Sequence, residues 1–202
     1  MLDRQAHTSS ISDRDLIART AEGDRRAFEQ LVERHAAAVL RLAEAVSDPS
    51  TAEDAMQQTF LNVYQHAASF RGDASVRTWL LTIARNAAHR LHAKTKREEL
   101  VEEPLVQLGI EAGWGSDDPE AIAIASERKD ALREAMSSLS AEDQEVIILR
   151  DLEGLRGPEA ANVLGIGERA VKSRLHRARL RLAVALRTAG RDDALAPEGG
   201  RP

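Results

Sequence analysis

Arg169, Lys172, Ser173, His176 and Arg177 are the residues whose types and spacing best suit binding chemistry. At about 100° per residue they fall on one side of a helix, roughly opposite Val171, Leu175, Ala178 and Leu182. Cationic and hydroxyl donors on one face suit phosphate oxygens and base edges, while the apolar stripe behind them anchors the helix. A solvated basic helix would carry the same face. The segment before it decides between the two. Pro158 suits a first helical turn, where its missing N–H costs nothing. Leu164-Gly165-Ile166-Gly167 then supplies a break, because glycine tolerates positive φ. Glu168 suits the positive end of the next helix. Gly157 to Arg181 therefore reads as a helix-turn-helix.

Two further groups could do chemistry. In the loop Ser69 to Asp73, Phe70 stands beside Arg71, and a stacking aromatic next to a cation is what an unpaired base would use. Phe70 could equally cap the core. The helix that follows, from Ser75 to about Arg97, turns Trp79, Leu80, Ile83, Ala84, Ala87 and Leu91 inward. It leaves Arg77, Arg85, Asn86, His89, Arg90, Lys94 and Lys96 for polar contacts. His89 and His92 have the i,i+3 spacing of metal ligands, but no local carboxylate or cysteine completes a site, so no metal or other cofactor is expected.

The elements that position these groups are helical. Aromatic residues are only 3% of the 202 residues, and Ala, Leu and Arg abound, which favours helix over sheet. With no cysteine, disulfides, thiolate metal sites and cysteine nucleophiles are excluded. No apolar run is long enough for a membrane span and no leader is evident, so a cytoplasmic protein is expected. The net charge of −5 is segregated: basic residues cluster in 85–97 and 169–187, acidic ones in 98–120. Local patches, not the total, set a binding field.

In chain order, Ser12 or Asp13 caps a short helix ending near Gly23, and Asp24 caps a second carrying Phe28, Leu31, Val32, His35, Val39, Leu42 and Val46. His35 reads as a satisfied core histidine. Asp48-Pro49 ends that segment. A third helix, about 50–68, packs Ala52, Met56, Thr59, Phe60 and Val63 inward and leaves Asp54, Gln57, Gln58, Leu61 and Asn62 outside. That outer side is either ordinary solvent exposure or a partner surface. Residues 98–126, with Pro104, Gly109, Gly113, Gly115 and Pro119 among acids, read as a linker in which Trp114 is unexpected. Near Glu127 a second unit begins. Leu132, Ala135, Met136 and Leu139 form one helix, and Ser140 with Asp143 caps another carrying Val146, Ile147 and Leu149, stopped at Gly154. The expected architecture is all-α: a helical domain at 1–97, a flexible acidic linker at 98–126, a helix-turn-helix domain at 127–189 and a disordered tail at 190–202.

The chain resembles the extracytoplasmic-function (ECF) group of bacterial sigma-70-type sigma factors. The resemblance rests on GDRRAFEQLVERH, AEDAMQQTFLNVY, SFRG and TWLLTIARNAAHRL in the first half. In the second half it rests on LSAEDQEVIILRDLEG and LGIGERAVKSRLHRARLRL, in the family's order and spacing. It implies a non-catalytic protein that binds core RNA polymerase and directs it to promoters, under control of an anti-sigma partner. Asp54, Gln57, Gln58 and Leu61 match the segment that meets the polymerase clamp. Phe70 and Arg71 match the loop that captures an extruded −10 base, and Arg77, Arg85, Asn86, His89 and Arg90 the helix beside that DNA. Arg169, Lys172, Ser173, His176 and Arg177 match the −35 reading helix, with Arg174 and Arg179 as phosphate contacts. The acidic linker matches a segment that threads the polymerase. His89 replaces a common aspartate, Arg169-Ala170 a usual Gly-Thr, and Glu159-Ala160-Ala161 a usual Glu-Ile-Ala, departures that imply unusual promoter preference. Two other readings are a stand-alone helix-turn-helix regulator, which would need an effector domain that residues 1–97 do not resemble, and a metal-dependent hydrolase around His89 and His92.

Overall fold

Four side-chain caps set the starts of four helices. The Ser12 hydroxyl accepts from the Asp15 N–H and opens α1 (Asp13–Ala21). The Asp24 carboxylate accepts from the Arg26 and Ala27 N–H groups and opens α2 (Arg25–Glu44). Asp48 accepts from the Thr51 N–H and opens α3 (Pro49–His66). Ser140 accepts from the Asp143 N–H and opens α6 (Ala141–Ile147). Each cap satisfies an amide that the first helical turn would leave unpaired. Asp48-Pro49, expected to end a segment, instead starts one: proline fits the first turn of α3 because that amide is not needed.

The structure is a computed structural model that describes residues 11–99 and 129–192, and among these there is no strand. The linker from residue 100 to 126 with Trp114, the first ten residues and the tail from 193 lie outside the described residues. Two expected boundaries move. Residues 98–99 belong to α4 (Val76–Glu99) and residues 190–192 to α8 (Glu168–Asp192), not to linker and tail. Between α3 and α4 a 3-10 turn, Ala67–Ser69, leads into the loop. Helix α5 covers 129–137, and α6 runs into a π-helical turn, Ile148–Leu152. Helix α7 (Gly157–Leu164) ends at Gly165, whose φ of 66° is the left-handed geometry that the turn into α8 requires.

Helix α4 is central. It packs on α2 and α3 on one side and on α7 from the second half of the chain. Leu80, Ala84 and Ala87 are buried as expected, but so are Leu81 and Ala88, so more than one stripe of α4 is enclosed. One buried apolar cluster runs from Leu16 through α2, α3 and α4 to Leu149, Val163 and Val171. His35 is a core histidine: it is buried, and its Nε2 lies 2.8 Å from Asp13 Oδ2, tying α2 to α1. On α5, Ala135 is buried, as is Leu139 just beyond it, while Leu132 is 42% exposed.

Candidate nucleic-acid interface

The helix-turn-helix presents its cationic side to solvent. Val171, Leu175 and Ala178 are buried, and Leu182 packs partly against the core. Arg169, Lys172, Ser173, His176 and Arg177 are exposed along the opposite side of α8, and Arg174 is half-buried. The first helix of the motif is fixed at its start by Glu159. Its carboxylate accepts from the Arg156 guanidinium and, at 2.8 Å, from the Arg156 backbone N–H. Those bonds, the guanidinium first, hold the Glu159 carboxyl below the usual carboxylate range. Ala160, which stands in place of the isoleucine usual in the resembling family, is fully buried. A small side chain there permits close approach of α7 to its neighbours.

Two flanking arginines are already engaged. Arg179, expected at phosphate, donates from Nε to Asp151 at 2.9 Å, and that pairing raises its pKa further. Arg181 pairs with Asp143. Both anions belong to the same half of the chain, and they leave the central donors of α8 in the open.

The loop and α4 form a second cationic site. Phe70 tilts against Trp79 with ring centroids 5.4 Å apart, so the loop aromatic is held partly in the core while Arg71 is exposed. Trp79 and Ile83, expected inward, are half-buried and wall an open cleft of about 900 Å³ with Asn62, His66, Asn86 and Arg90. Arg85 and His89 line it as well. The cleft therefore joins an aromatic wall to amide, imidazole and guanidinium groups, as an unstacked base needs.

The cations of this site divide. Asn86 and Arg90 face the cleft, with Arg90 Nε donating to the Asn86 carbonyl. Arg85, His89 and Arg77 are bonded to glutamates from the second half. Arg85 donates to Glu145 at 2.8 and 3.2 Å, and His89 Nε2 lies 2.7 Å from the same carboxylate. Arg77 pairs with Glu153, which also accepts two bonds from Arg41 at 3.0 and 2.6 Å. Both glutamate side chains are 0% exposed. Sequence reasoning assigned these two acids no role. A signal existed for Glu145, since it lies four residues before Leu149 and so on a buried stripe of α6. Among the described residues no group of three or more His, Asp or Glu side chains could hold a metal.

On α3, Asp54, Gln57, Gln58 and Leu61 are exposed along one face, and Gln58 donates to Asn62 at 3.1 Å. Leu61 is 49% and Tyr64 40% exposed, and with Phe28 and Phe60 they line a shallow groove of about 550 Å³. Phe28 packs edge-on against Tyr64 at 5.1 Å. Tyr64 thus extends the surface expected from Leu61 alone.

Comparison with known proteins accords with this geometry. Residues 31–98 match the sigma-70 region 2 family and residues 129–182 match sigma-70, region 4. The chain is 33% identical over 180 residues to the RNA polymerase sigma factor CnrH of Cupriavidus metallidurans, covering 87% of this chain and 94% of that one. It is 35% identical over 173 residues to the ECF sigma factor SigM of Mycobacterium tuberculosis, covering 85% and 83%. Its fold is similar to the sigma factor RpoE of Bartonella quintana, solved with the anti-sigma factor NepR. There the TM-score is 0.62 at 30% identity, over 79% of this chain and 96% of that one. The chain belongs to the ECF group of sigma-70-type RNA polymerase sigma factors. Among the described residues no helix is long and apolar enough to cross a membrane.

Proposed function

We propose that this chain binds core RNA polymerase and directs it to promoters through two DNA-reading surfaces. Residues 127–189 form the unit that reads the −35 element with Arg169, Lys172, Ser173, His176 and Arg177, while Arg174 touches phosphate. Residues 1–97 form the unit that reads the −10 element. In it Phe70 and Arg71 receive an extruded base, and Asn86, Arg90, Arg77, Arg85 and His89 contact the strand beside it. Asp54, Gln57, Gln58 and Leu61 meet the polymerase clamp. The protein supplies binding energy and no covalent chemistry, acts in the cytoplasm, and is held in check by an anti-sigma protein, as the structures of RpoE with the anti-sigma factor NepR and of CnrH with the cytosolic domain of CnrY suggest.

One observation carries this reading: five donors stand exposed on a helix whose opposite stripe, Val171, Leu175 and Ala178, is sealed in the core. A helix anchored in this way can enter a major groove without exposing its apolar side. Run-off transcription with core polymerase on a randomised promoter library tests it. The expected result is enrichment of one pair of elements at fixed spacing; no transcript above core enzyme alone would refute it.

A further inference from the structure

Helix α1 lies before residues 31–98, the stretch that matches sigma-70 region 2, yet it packs on the 3-10 turn that opens the −10 loop and on α4. Leu16 and Ile17 are buried and root it in the core. Asp13 ties its start to α2: the carboxylate accepts from Arg34 Nη1 at 2.9 Å and lies 2.8 Å from His35 Nε2. Arg14 stands about one turn before the buried Ile17 and so at the edge of the packed side of α1. Its guanidinium rests against Gly72 in the loop. A Cβ on Gly72 would lie 2.7 Å from Arg14 Nη2 and 3.2 Å from its Cζ. Gly72 has a φ of 80°, a left-handed geometry that glycine adopts without strain.

The carboxylates beside Arg14 in the chain are already engaged. Asp13 serves Arg34 and His35, and Asp15 accepts from the Ser12 hydroxyl at 2.7 Å. Arg14 itself is exposed and, among the described residues, makes no hydrogen bond or ion pair. Arg71, next to Gly72, is exposed and unpaired in the same way, and Asp73 bonds neither of them. Arg77 and Arg85, farther along α4, have carboxylate partners. Two unpaired guanidiniums are thus brought to one glycine, a setting that favours an anion. Each guanidinium carries five N–H donors in a fixed fork that matches phosphate oxygens.

Resting on the reading of Phe70 and Arg71 as the receivers of an extruded −10 base, we propose that Arg14 is a further DNA contact, whose guanidinium binds a phosphate flanking the extruded nucleotide. Helix α1 then belongs to the −10 surface. Swinging a base out of the stack turns its backbone, and a cation fixed at the mouth of the loop holds the turned phosphate in place. A phosphate contact positions the strand and reads no sequence. Arg14 therefore adds affinity and leaves the choice of base to the loop.

The test uses holoenzyme, assembled from core polymerase and the full chain, and labelled forked DNA carrying the −10 element enriched in the run-off library. Arg14→Ala should weaken binding about threefold to tenfold at low salt and lower the slope of log affinity against log salt by about 0.7, the share of one single-strand phosphate. The loss should be the same whichever base occupies the extruded position. Arg14→Lys, which keeps the charge and loses the fork, should recover part of the affinity. A neutral methylphosphonate at one of the two phosphates flanking that base should remove the difference between wild type and Arg14→Ala. Helical circular dichroism should be unchanged, because Arg14 is exposed. A loss that persists with each linkage neutralised in turn would overturn the phosphate contact and leave Arg14 as a brace of the loop. Unchanged affinity and slope would overturn it as well. If Phe70→Ala still weakens binding in that case, the −10 reading stands without Arg14; if neither variant has an effect, both fall.

Discussion

Two helices in this molecule carry nearly the same chemistry and meet opposite circumstances. Helices α4 and α8 each have a buried apolar stripe and a row of arginine, histidine and amide or hydroxyl groups. On α8 the central donors face solvent, and among the described residues local anions engage only Arg179 and Arg181 at the flank. On α4, Arg77 and Arg85 with His89 are held by carboxylates from sequence positions 56 to 76 residues away. Residue types give a helix a binding potential. What lies across from it decides whether that potential is available.

Several changes would break or sharpen this contrast. The largest concerns cooperativity. Leu80→Ala and Leu149→Ala, both at fully buried sites in different halves, should each cost about 2–5 kcal/mol. If α4 is enclosed by both halves, each change shifts one common urea transition, read by circular dichroism. Two independent transitions would show that the contact over α4 is too weak to couple them. Next, Arg177→Ala should weaken binding to a −35 duplex by about 1–3 kcal/mol if it touches a base edge. Arg85→Ala should leave that duplex unaffected by fluorescence anisotropy, since its side chain lies on the other surface. Lys172→Ala should weaken binding across sequences and flatten the salt slope by about one unit if it touches phosphate; an unchanged slope would reassign it.

The smallest effects are in acid. The Arg19 guanidinium, then the Ala27 N–H, holds the Asp24 carboxyl below its ordinary value. Its folded pKa is below the unfolded one, so its contribution is complete above about pH 4 and is lost as pH falls through the folded value. Glu159 in the second half behaves the same way through Arg156. Asp24→Asn and Glu159→Gln should each flatten the acid limb of stability against pH without altering DNA binding near neutrality. Acid titrations of the variants that overlay the wild type would remove these carboxylates from the account.

Much of this was legible in the sequence because it depends on neighbours within a turn or two. Ser12, Asp24 and Ser140 cap helices through amides two or three residues away. Gly165 marks the turn because only the local backbone decides whether a positive φ is needed. The α8 stripe of Val171, Leu175 and Ala178 followed from periodicity alone. Asp48-Pro49 was harder, since the same pair can stop one helix or start another, and the Thr51 amide settles it. Trp79 and Ile83, expected inward, are only half-buried, while Leu81 and Ala88 are enclosed, because burial depends on which other element arrives, and periodicity names only the side of a helix.

The chain's own sequence determined the helices, their caps, the turn between α7 and α8, and the family to which its motifs belong, since each is written in short-range spacing. Tertiary structure alone decided that Glu153 would be buried, that Arg77, Arg85 and His89 would face Glu145 and Glu153, and that the α8 donors would not be covered. Charge pairing at 2.6 to 3.2 Å between groups 56 to 112 residues apart is set by how helices pack in space. No local pattern encodes that distance.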